Sequence, residues 1–448
     1  MAEGKAAPGV ALWEQLQAVA QALSHVAKGS SASTELDQVP AALRPGVQAL
    51  LFHVLRQWGR ARALRDRLVQ RQPDRLADAL LCTALALAWD DAQAPYAPHT
   101  LVNQTVDAAK RHRRLRTQAS FLNACLRRFL REREALVAET EALPEARWNH
   151  PGWWIARLQQ DHPERWPYIL QANNQPGPMT LRVNTQRISR EALQARWQDL
   201  GLVSTPVDAQ GLVLQQALPV KEIPGFAEGK CSVQDAAAQC AAPLLLTDLA
   251  RPADRVLRVL DACAAPGGKT AHLLELLTPA DDVLALDVDA TRCARIHDNL
   301  QRLGLHAQVR TADAAEVDRW WDGQLFDAIL LDAPCTASGI VRRHPDARWL
   351  RRESDIAQLA AIQQQLLQRL WPLLAPGGRL LYCTCSVFRA EGDDQIETFV
   401  TYNTDARELP CWRHLVPQNE ATPQALADNL PGDHDGFYYA LLEKTAPR

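Results

Sequence analysis

Between residues 256 and 385 the chain carries five apolar runs of strand length: VLRVLDAC, DVLALDVD, AQVRTAD, FDAILLDAP and GGRLLYCTC. Each has an Asp or Cys at or beside its end, and helical stretches separate them. Continuous rather than alternating apolar character means strands covered on both faces, as in a parallel sheet between helical layers. A doubly wound sheet of this kind binds its ligands at the carboxyl ends of the strands. The pattern therefore predicts an α/β Rossmann-like domain over residues 239–448, with Asp287, Asp313, Asp332, Cys335 and Cys385 gathered on one rim.

A chain of 448 residues has room for about three domains. Residues 1–140 read as almost entirely helical. In FLNACLRRFLRERE, Leu122, Cys125, Leu126, Phe129 and Leu130 recur at i, i+3, i+4 and i+7, with Arg127, Arg128 and Arg131 opposite. Pro144 and Pro151 then break the pattern, which reads as a linker. Residues 150–238 read as a small α+β module resembling an RRM. Its elements are a strand at MTLRVN, a helix capped by Ser189 and ended by Gly201, and strands at LVSTPV and GLVLQQ.

The formal net charge of -3 excludes a uniformly basic nucleic-acid binder, but not a local patch. Lys110, Arg111, His112, Arg113, Arg114 and Arg116 form the strongest basic cluster. On charge alone, a solvated helical face and a phosphate-contacting face stand level. The residues MAEGKAAPGVALWEQ lack the pattern of a secretory signal, and no stretch reaches the ~18 apolar residues of a membrane span. A cytoplasmic protein without membrane attachment is expected. Ten cysteines without a CxxC pair are too sparse for a disulfide scaffold; Cys82, Cys125, Cys240 and Cys293 read as small core residues.

DACAAPGGKT, residues 261–270, has Cys263 where a Walker A loop requires Gly, and it lacks GxGxxG. What remains is a strand, an acid, a small-residue turn with Gly267 and Gly268, and a helix. Such a turn admits a ligand close to the backbone. Asp287, ending the second strand, can take both hydroxyls of a ribose, and Asp313, ending the third, can hold a base. An adenosine cofactor without pyrophosphate fits, and S-adenosylmethionine is the candidate.

Cys335 follows the fourth strand and Cys385 ends the fifth. A metal site built from Cys263, Cys335, Cys383 and Cys385 has no His or further thiol at standard ligand spacing, so no metal is expected. Nucleophilic chemistry accounts better for paired thiols. Cytosine C5 accepts a methyl group only after thiolate addition at C6 has made the ring enamine-like. A base must then remove the C5 proton, and an acid must hold the amidine edge.

The motifs DACAAPGGKTAHLLE, LALDVDATR, FDAILLDAPCTASGIVRRHPD and LLYCTCSVFRAEGDDQIETF resemble those of bacterial RNA cytosine-C5 methyltransferases, as do GKCSVQDAAAQ and GDHDGFYYALLEK. Domain order and the basic helices resemble the RsmB (Fmu/Sun) type of 16S rRNA enzyme, whose helical N-terminal domain is similar to NusB. The resemblance implies a class I methyltransferase domain. It assigns cofactor contacts to Cys263, Ala264, Ala265, Pro266, Gly267, Gly268, Lys269, Asp287, Asp313 and Asp332. It makes Cys385 the nucleophile and Cys335 the residue of the release step, with Asp332 and Lys269 reaching the target base. Cys383 stands where Ala would be less surprising.

The implied substrate is 16S rRNA, naked or in an early small-subunit particle, with the cytosine at position 967 in the usual rRNA numbering as the expected target. A monomer is expected. Arg342, Arg343 and His344 either meet RNA phosphate or cap a helix. Three alternatives remain: a DNA cytosine-C5 methyltransferase using Cys335 as nucleophile, an enzyme acting on tRNA, and a non-catalytic RNA-binding adaptor.

Overall fold

The computed structural model describes residues 10–446 except 91, 93 and 419–427, and it divides into two units. The first contains residues up to Pro176 together with Val341–Glu353; the second contains Gly177–Ile340 and Ser354 onward.

Ten α-helices between Leu12 and Asn173 make up most of the first unit. Helix Arg75–Ala88, RLADALLCTALALA, is capped by Asp74, whose carboxylate accepts the Leu76 N–H at 3.1 Å, and is buried almost all round. An all-apolar helix of this kind belongs at the centre of a core. It packs there with Leu16, Val19, Leu51 and Val54. In helix Ala119–Glu141 the buried stripe is Leu122, Cys125, Leu126 and Phe129, with Leu130 partly buried against the core; Arg127, Arg128 and Arg131 are exposed.

The helical region runs past the break expected near residue 140. Pro144 occupies the first turn of helix Pro144–Trp148, where its missing N–H costs nothing, and Pro151 precedes helix Gly152–Asp161. Between them Asn149 and His150 are buried, so this stretch is core rather than linker.

Residues 341–353 complete the same unit. Trp349 packs edge-on against Trp58 at 5.5 Å and donates its indole N–H to the Leu55 carbonyl at 2.8 Å. Arg348 is fully buried and donates to the carbonyls of Asn149 (3.2 Å) and Asn173 (2.6 Å). Burial and the nearby Arg56 bring its pKa down to about 9. Arg342 is fully buried too and donates to the Pro176 carbonyl at 3.0 Å. Of the two readings open for Arg342, phosphate contact and capping, the buried guanidinium on a backbone carbonyl fits the second.

The second unit holds two sheets. Strands β1 (Met179–Val183), β2 (Ser204–Val207), β3 (Gly211–Leu214) and β4 (Cys231–Val233) form an antiparallel sheet ordered β2-β3-β1-β4. Helix Arg190–Asp199 packs on it, capped by Ser189, with the buried Trp197 among Leu181, Leu193 and Leu212.

The larger sheet contains β5 (Arg258–Asp261), β6 (Asp282–Asp287), β7 (Gln308–Thr311), β8 (Phe326–Asp332) and β9 (Leu374–Thr384), all parallel. Strands β10 (Ala406–Leu409), β11 (His414–Leu415) and β12 (Phe437–Lys444) join antiparallel at the β9 edge. The order is β10-β12-β9-β8-β5-β6-β7, with β11 beside β12, so the winding reverses between β5 and β8. The five parallel strands are those read from the sequence; the antiparallel edge was not read as strands.

Arg182 on β1 fixes the small sheet to the larger domain. Its guanidinium grips Glu275 at 2.9 and 3.1 Å and donates to the Gly268 carbonyl at 3.1 Å and to Gln234. Both charged side chains are buried, at 0% and 1% exposure. Arg182→Ala therefore leaves Glu275 a bare buried charge and should cost about 3–5 kcal/mol in urea unfolding. The double variant Arg182→Met with Glu275→Leu should lose less than Arg182→Ala alone. A loss at least as large in the double variant would show that the packing, and not the charge pairing, matters.

Candidate active site

β5 ends at Asp261, and residues 262–267 turn the chain into helix Gly268–Leu276. Gly267 has φ +95°, and a Cβ there would lie 3.1 Å from Ile296; at Gly268 a Cβ would meet nothing within 4 Å. One side of the turn is thus bare backbone facing open space. The other side is anchored. Ala264 N–H donates to the Leu286 carbonyl at 2.8 Å, and Ala265 N–H to Asp287 Oδ2 at 3.2 Å. Asn299 and Arg292, which the sequence reading missed, donate to the carbonyls of Pro266 (2.8 Å) and Ala265 (3.2 Å).

Asp287 closes β6 and is buried; its Oδ1 accepts the Asp289 N–H at 3.1 Å and lies 3.5 Å from Arg292. Each of its oxygens keeps acceptor capacity for a ribose diol. Ala312 N–H donates to the Asp287 carbonyl at 3.0 Å, which brings Asp313 to the neighbouring strand end. Asp313 is exposed there and accepts the Ala315 N–H at 2.9 Å. Bare turn, buried carboxylate and exposed carboxylate fit an adenosine-bearing cofactor, with Cys263–Lys269, Asp287 and Asp313 as the residues to hold it.

Beneath the turn, Asp261 accepts the Thr270 hydroxyl at 2.7 Å, while its Oδ1 has no partner. Burial pushes its carboxyl up to about 7 against the Thr270 hydrogen bond, and the charge of Asp332 adds to the rise. Lys269 points along the rim. Its ammonium donates to Asp332 Oδ2 at 2.6 Å and sits 5.1 Å from the Phe437 ring centre. Burial works against this charge, but the Asp332 carboxylate outweighs it and holds the ammonium above its ordinary pKa.

β8 and β9 pair in parallel with Asp332 opposite Cys383, so residues just beyond both strands meet. The sulfurs of Cys335 and Cys385 are 3.4 Å apart. Cys335 is buried, and Cys385 is half-buried. The hydrogen bond with Cys385 and burial push the Cys335 thiol well above its ordinary pKa, and Glu391 adds to this. Burial also raises Cys263 and Cys383, with Asp332 contributing; Cys383 donates to Asp332 Oδ1 at 3.5 Å. The structure therefore brings Lys269, Asp332, Cys335, Cys383 and Cys385 together beside the cofactor turn. Among the described residues, no group of three or more His, Cys, Asp or Glu is placed to hold a metal ion. Glu391, also missed, lies within RAEGDDQIE, where three other acids within six residues disguise it.

Known proteins match this arrangement. Residues 249–443 match the 16S rRNA methyltransferase RsmB/F family, and residues 150–221 match the ferredoxin-like domain of RsmF/B-like methyltransferases. Ribosomal RNA small subunit methyltransferase B of Vibrio cholerae is 42% identical over 441 residues, covering 95% of this chain and 96% of that protein. The Pseudomonas syringae pv. tomato protein of the same name is 42% identical over 444 residues, covering 96% of each. A solved methyltransferase homologue from Pyrococcus horikoshii superposes with a TM-score of 0.56 at 28% identity, covering 67% of this chain and 97% of its own. Full-length identity at this level, on a parallel sheet whose rim carries the cofactor turn and both thiols, places the chain in the 16S rRNA methyltransferase RsmB/F family.

Proposed function

We propose that this enzyme transfers a methyl group from S-adenosylmethionine to C5 of a cytosine in 16S rRNA through a covalent adduct with Cys385. The observation that carries the reading is the 3.4 Å approach of the two thiols beside the Lys269–Asp332 pair. When bound, S-adenosylmethionine supplies an electrophilic methyl group. Cys263–Lys269, Asp287, Asp313 and Asp332 hold and frame it.

Cys385 is the more accessible thiol and adds through sulfur to C6, which moves an electron pair to C5. Asp332 faces the base and accepts from its exocyclic amine, and its ion pair with Lys269 at 2.6 Å fixes the carboxylate in place. After methylation, Cys335 serves removal of the C5 proton; that electron pair restores the C5–C6 double bond and expels Cys385 as thiolate. A target base must leave its stack to reach one buried and one half-buried sulfur.

The proposed target is the cytosine at position 967 of the usual rRNA numbering. The proposed setting is cytoplasmic, with a monomer acting on naked rRNA or an early particle. For the helical region we propose an RNA-contacting role. Lys110, Arg111, Arg113, Arg114 and Arg116 are exposed, next to a polar groove lined by Gln104, Lys110, Asn123 and Arg127.

Three measurements test these assignments. Asp287→Ala should weaken S-adenosylmethionine binding in calorimetry, since two charge-assisted hydrogen bonds of about 1.5–3 kcal/mol each are lost; unchanged affinity removes the ribose role. Reversing the charges of Lys110–Arg116 should weaken RNA binding and flatten its salt dependence while leaving cofactor binding alone. An identical salt slope returns the cluster to a solvated surface. In a denaturing gel with 16S rRNA and cofactor, Cys335→Ala should accumulate a protein–RNA adduct, and Cys385→Ala should form none and lose turnover. The reverse pattern would make Cys335 the nucleophile, as in the DNA-type alternative.

A further inference from the structure

Glu391 is fully buried, and its carboxylate has no Lys or Arg partner among the described residues. An unpaired buried carboxylate is costly unless donors saturate it. Here four do so. Oε1 accepts the Thr336 N–H at 2.9 Å and the Gln363 amide at 3.3 Å. Oε2 accepts the Thr336 hydroxyl at 2.5 Å and the Ser386 hydroxyl at 2.6 Å. Thr336 directly follows Cys335, and Ser386 directly follows Cys385. One carboxylate thus grips the residue after each thiol, on two loops that are 50 residues apart in the chain.

The surrounding bonds tie that carboxylate to the sheet. The Glu391 carbonyl accepts the Thr384 hydroxyl at 3.2 Å, and the Tyr382 hydroxyl lies 2.9 Å from it, both on β9. Gln363 donates to the Pro334 carbonyl at 2.9 Å, on the other side of Cys335. Ser338 and Ser386 hydroxyls lie 2.8 Å apart and complete the link between the loops. Neither thiol is itself bonded to Glu391; their spacing is inherited from the neighbours it holds.

We propose that Glu391 is a positioning residue that sets the distance between the Cys335 and Cys385 sulfurs. Resting on the reading that the two thiols act in successive steps, it governs how fast the covalent adduct is resolved. Two sulfurs that must serve adjacent ring atoms tolerate little displacement, because misplacement of about 1 Å can cost a hundredfold in rate.

The test uses the full-length chain and compares Glu391→Gln with Glu391→Ala. Gln keeps the shape and one acceptor oxygen, and the Thr336 and Ser386 hydroxyls can turn to accept from its amide. Ala removes every bond. Without RNA, diamide takes two electrons and both thiol protons as Cys335 and Cys385 join, so the closure rate reads their spacing directly. Closure should slow about tenfold in Glu391→Ala and much less in Glu391→Gln. With 16S rRNA, kcat per cofactor-binding site should fall about a hundredfold for Ala and about tenfold for Gln, with KM for RNA within about twofold. Adduct should accumulate in the Ala variant. Ser386→Ala, which removes a single donor, should show the same signature more weakly, so the test survives if Glu391→Ala fails to fold. Closure rates and kcat equal to wild type in all variants would overturn the proposal. A Cys335→Ala variant that forms no RNA adduct, while the wild type still closes its disulfide in an oxidant, would instead overturn the two-thiol reading, leaving the spacing role standing.

Discussion

Parallel pairing of β8 with β9 is the constraint from which the site follows. Because Asp332 lies opposite Cys383, the chain leaves both strands at the same height and in the same direction. The loops carrying Cys335 and Cys385 have to meet there, and Ala333 and Gly339 N–H groups bond to the Cys383 and Cys385 carbonyls at 2.9 Å. A shift of one residue in this register would turn the side chains at these strand ends to the opposite face. The same rim receives the turn after β5, since β5 pairs with β8 on its other side. Cofactor turn and thiols are therefore neighbours by sheet order, at the point where the winding reverses.

Electrostatics then sorts the groups that topology has gathered. Four acids crowd this rim and its floor: Asp261, Asp287, Asp332 and Glu391. Each is managed differently. Asp261 is pushed towards neutrality by burial. Asp287 faces backbone N–H groups and Arg292. Asp332 is paired with Lys269. Glu391 is saturated by uncharged donors, and burial raises its pKa despite them. Such division of labour among like charges lets several carboxyls share a small volume. Beside them, the hydrogen bond with Cys385 and burial push the Cys335 thiol well above its ordinary pKa, with Glu391 adding to the rise.

The thirteen residues after Ile340 belong to the helical unit, although the chain reaches them directly from the Cys335 loop. Two of their arginines, Arg342 and Arg348, are buried for a structural purpose. Arg348 caps carbonyls left over at the ends of short helices, where the backbone has no intrahelical donor. Arg56 likewise donates to the Arg342 carbonyl at 2.7 Å, and burial brings it down to about 10. Basic residues following a catalytic motif invite a nucleic-acid reading, yet these side chains answer unsatisfied carbonyls.

The amino-acid sequence by itself determined the sheet and its rim. Apolar runs covered on both faces can only be parallel strands between helices, and their terminal Asp and Cys residues then fall on one edge. It also determined the cofactor turn, because Gly267 and Gly268 after an acid leave backbone bare. Tertiary structure alone decided what no local pattern encodes. The antiparallel β12 was hidden because FYYALLEK pairs with β9 across a distance in sequence. Pro144 and Pro151 read as a break until packing buried Asn149 and His150 between them. Arg342 stood open between phosphate contact and capping until its partner, the Pro176 carbonyl, was in place. Glu391 had no signature among its acidic neighbours, since its importance lies in touching Thr336 and Ser386, and hydrogen bonds between distant loops exist only once the chain has folded.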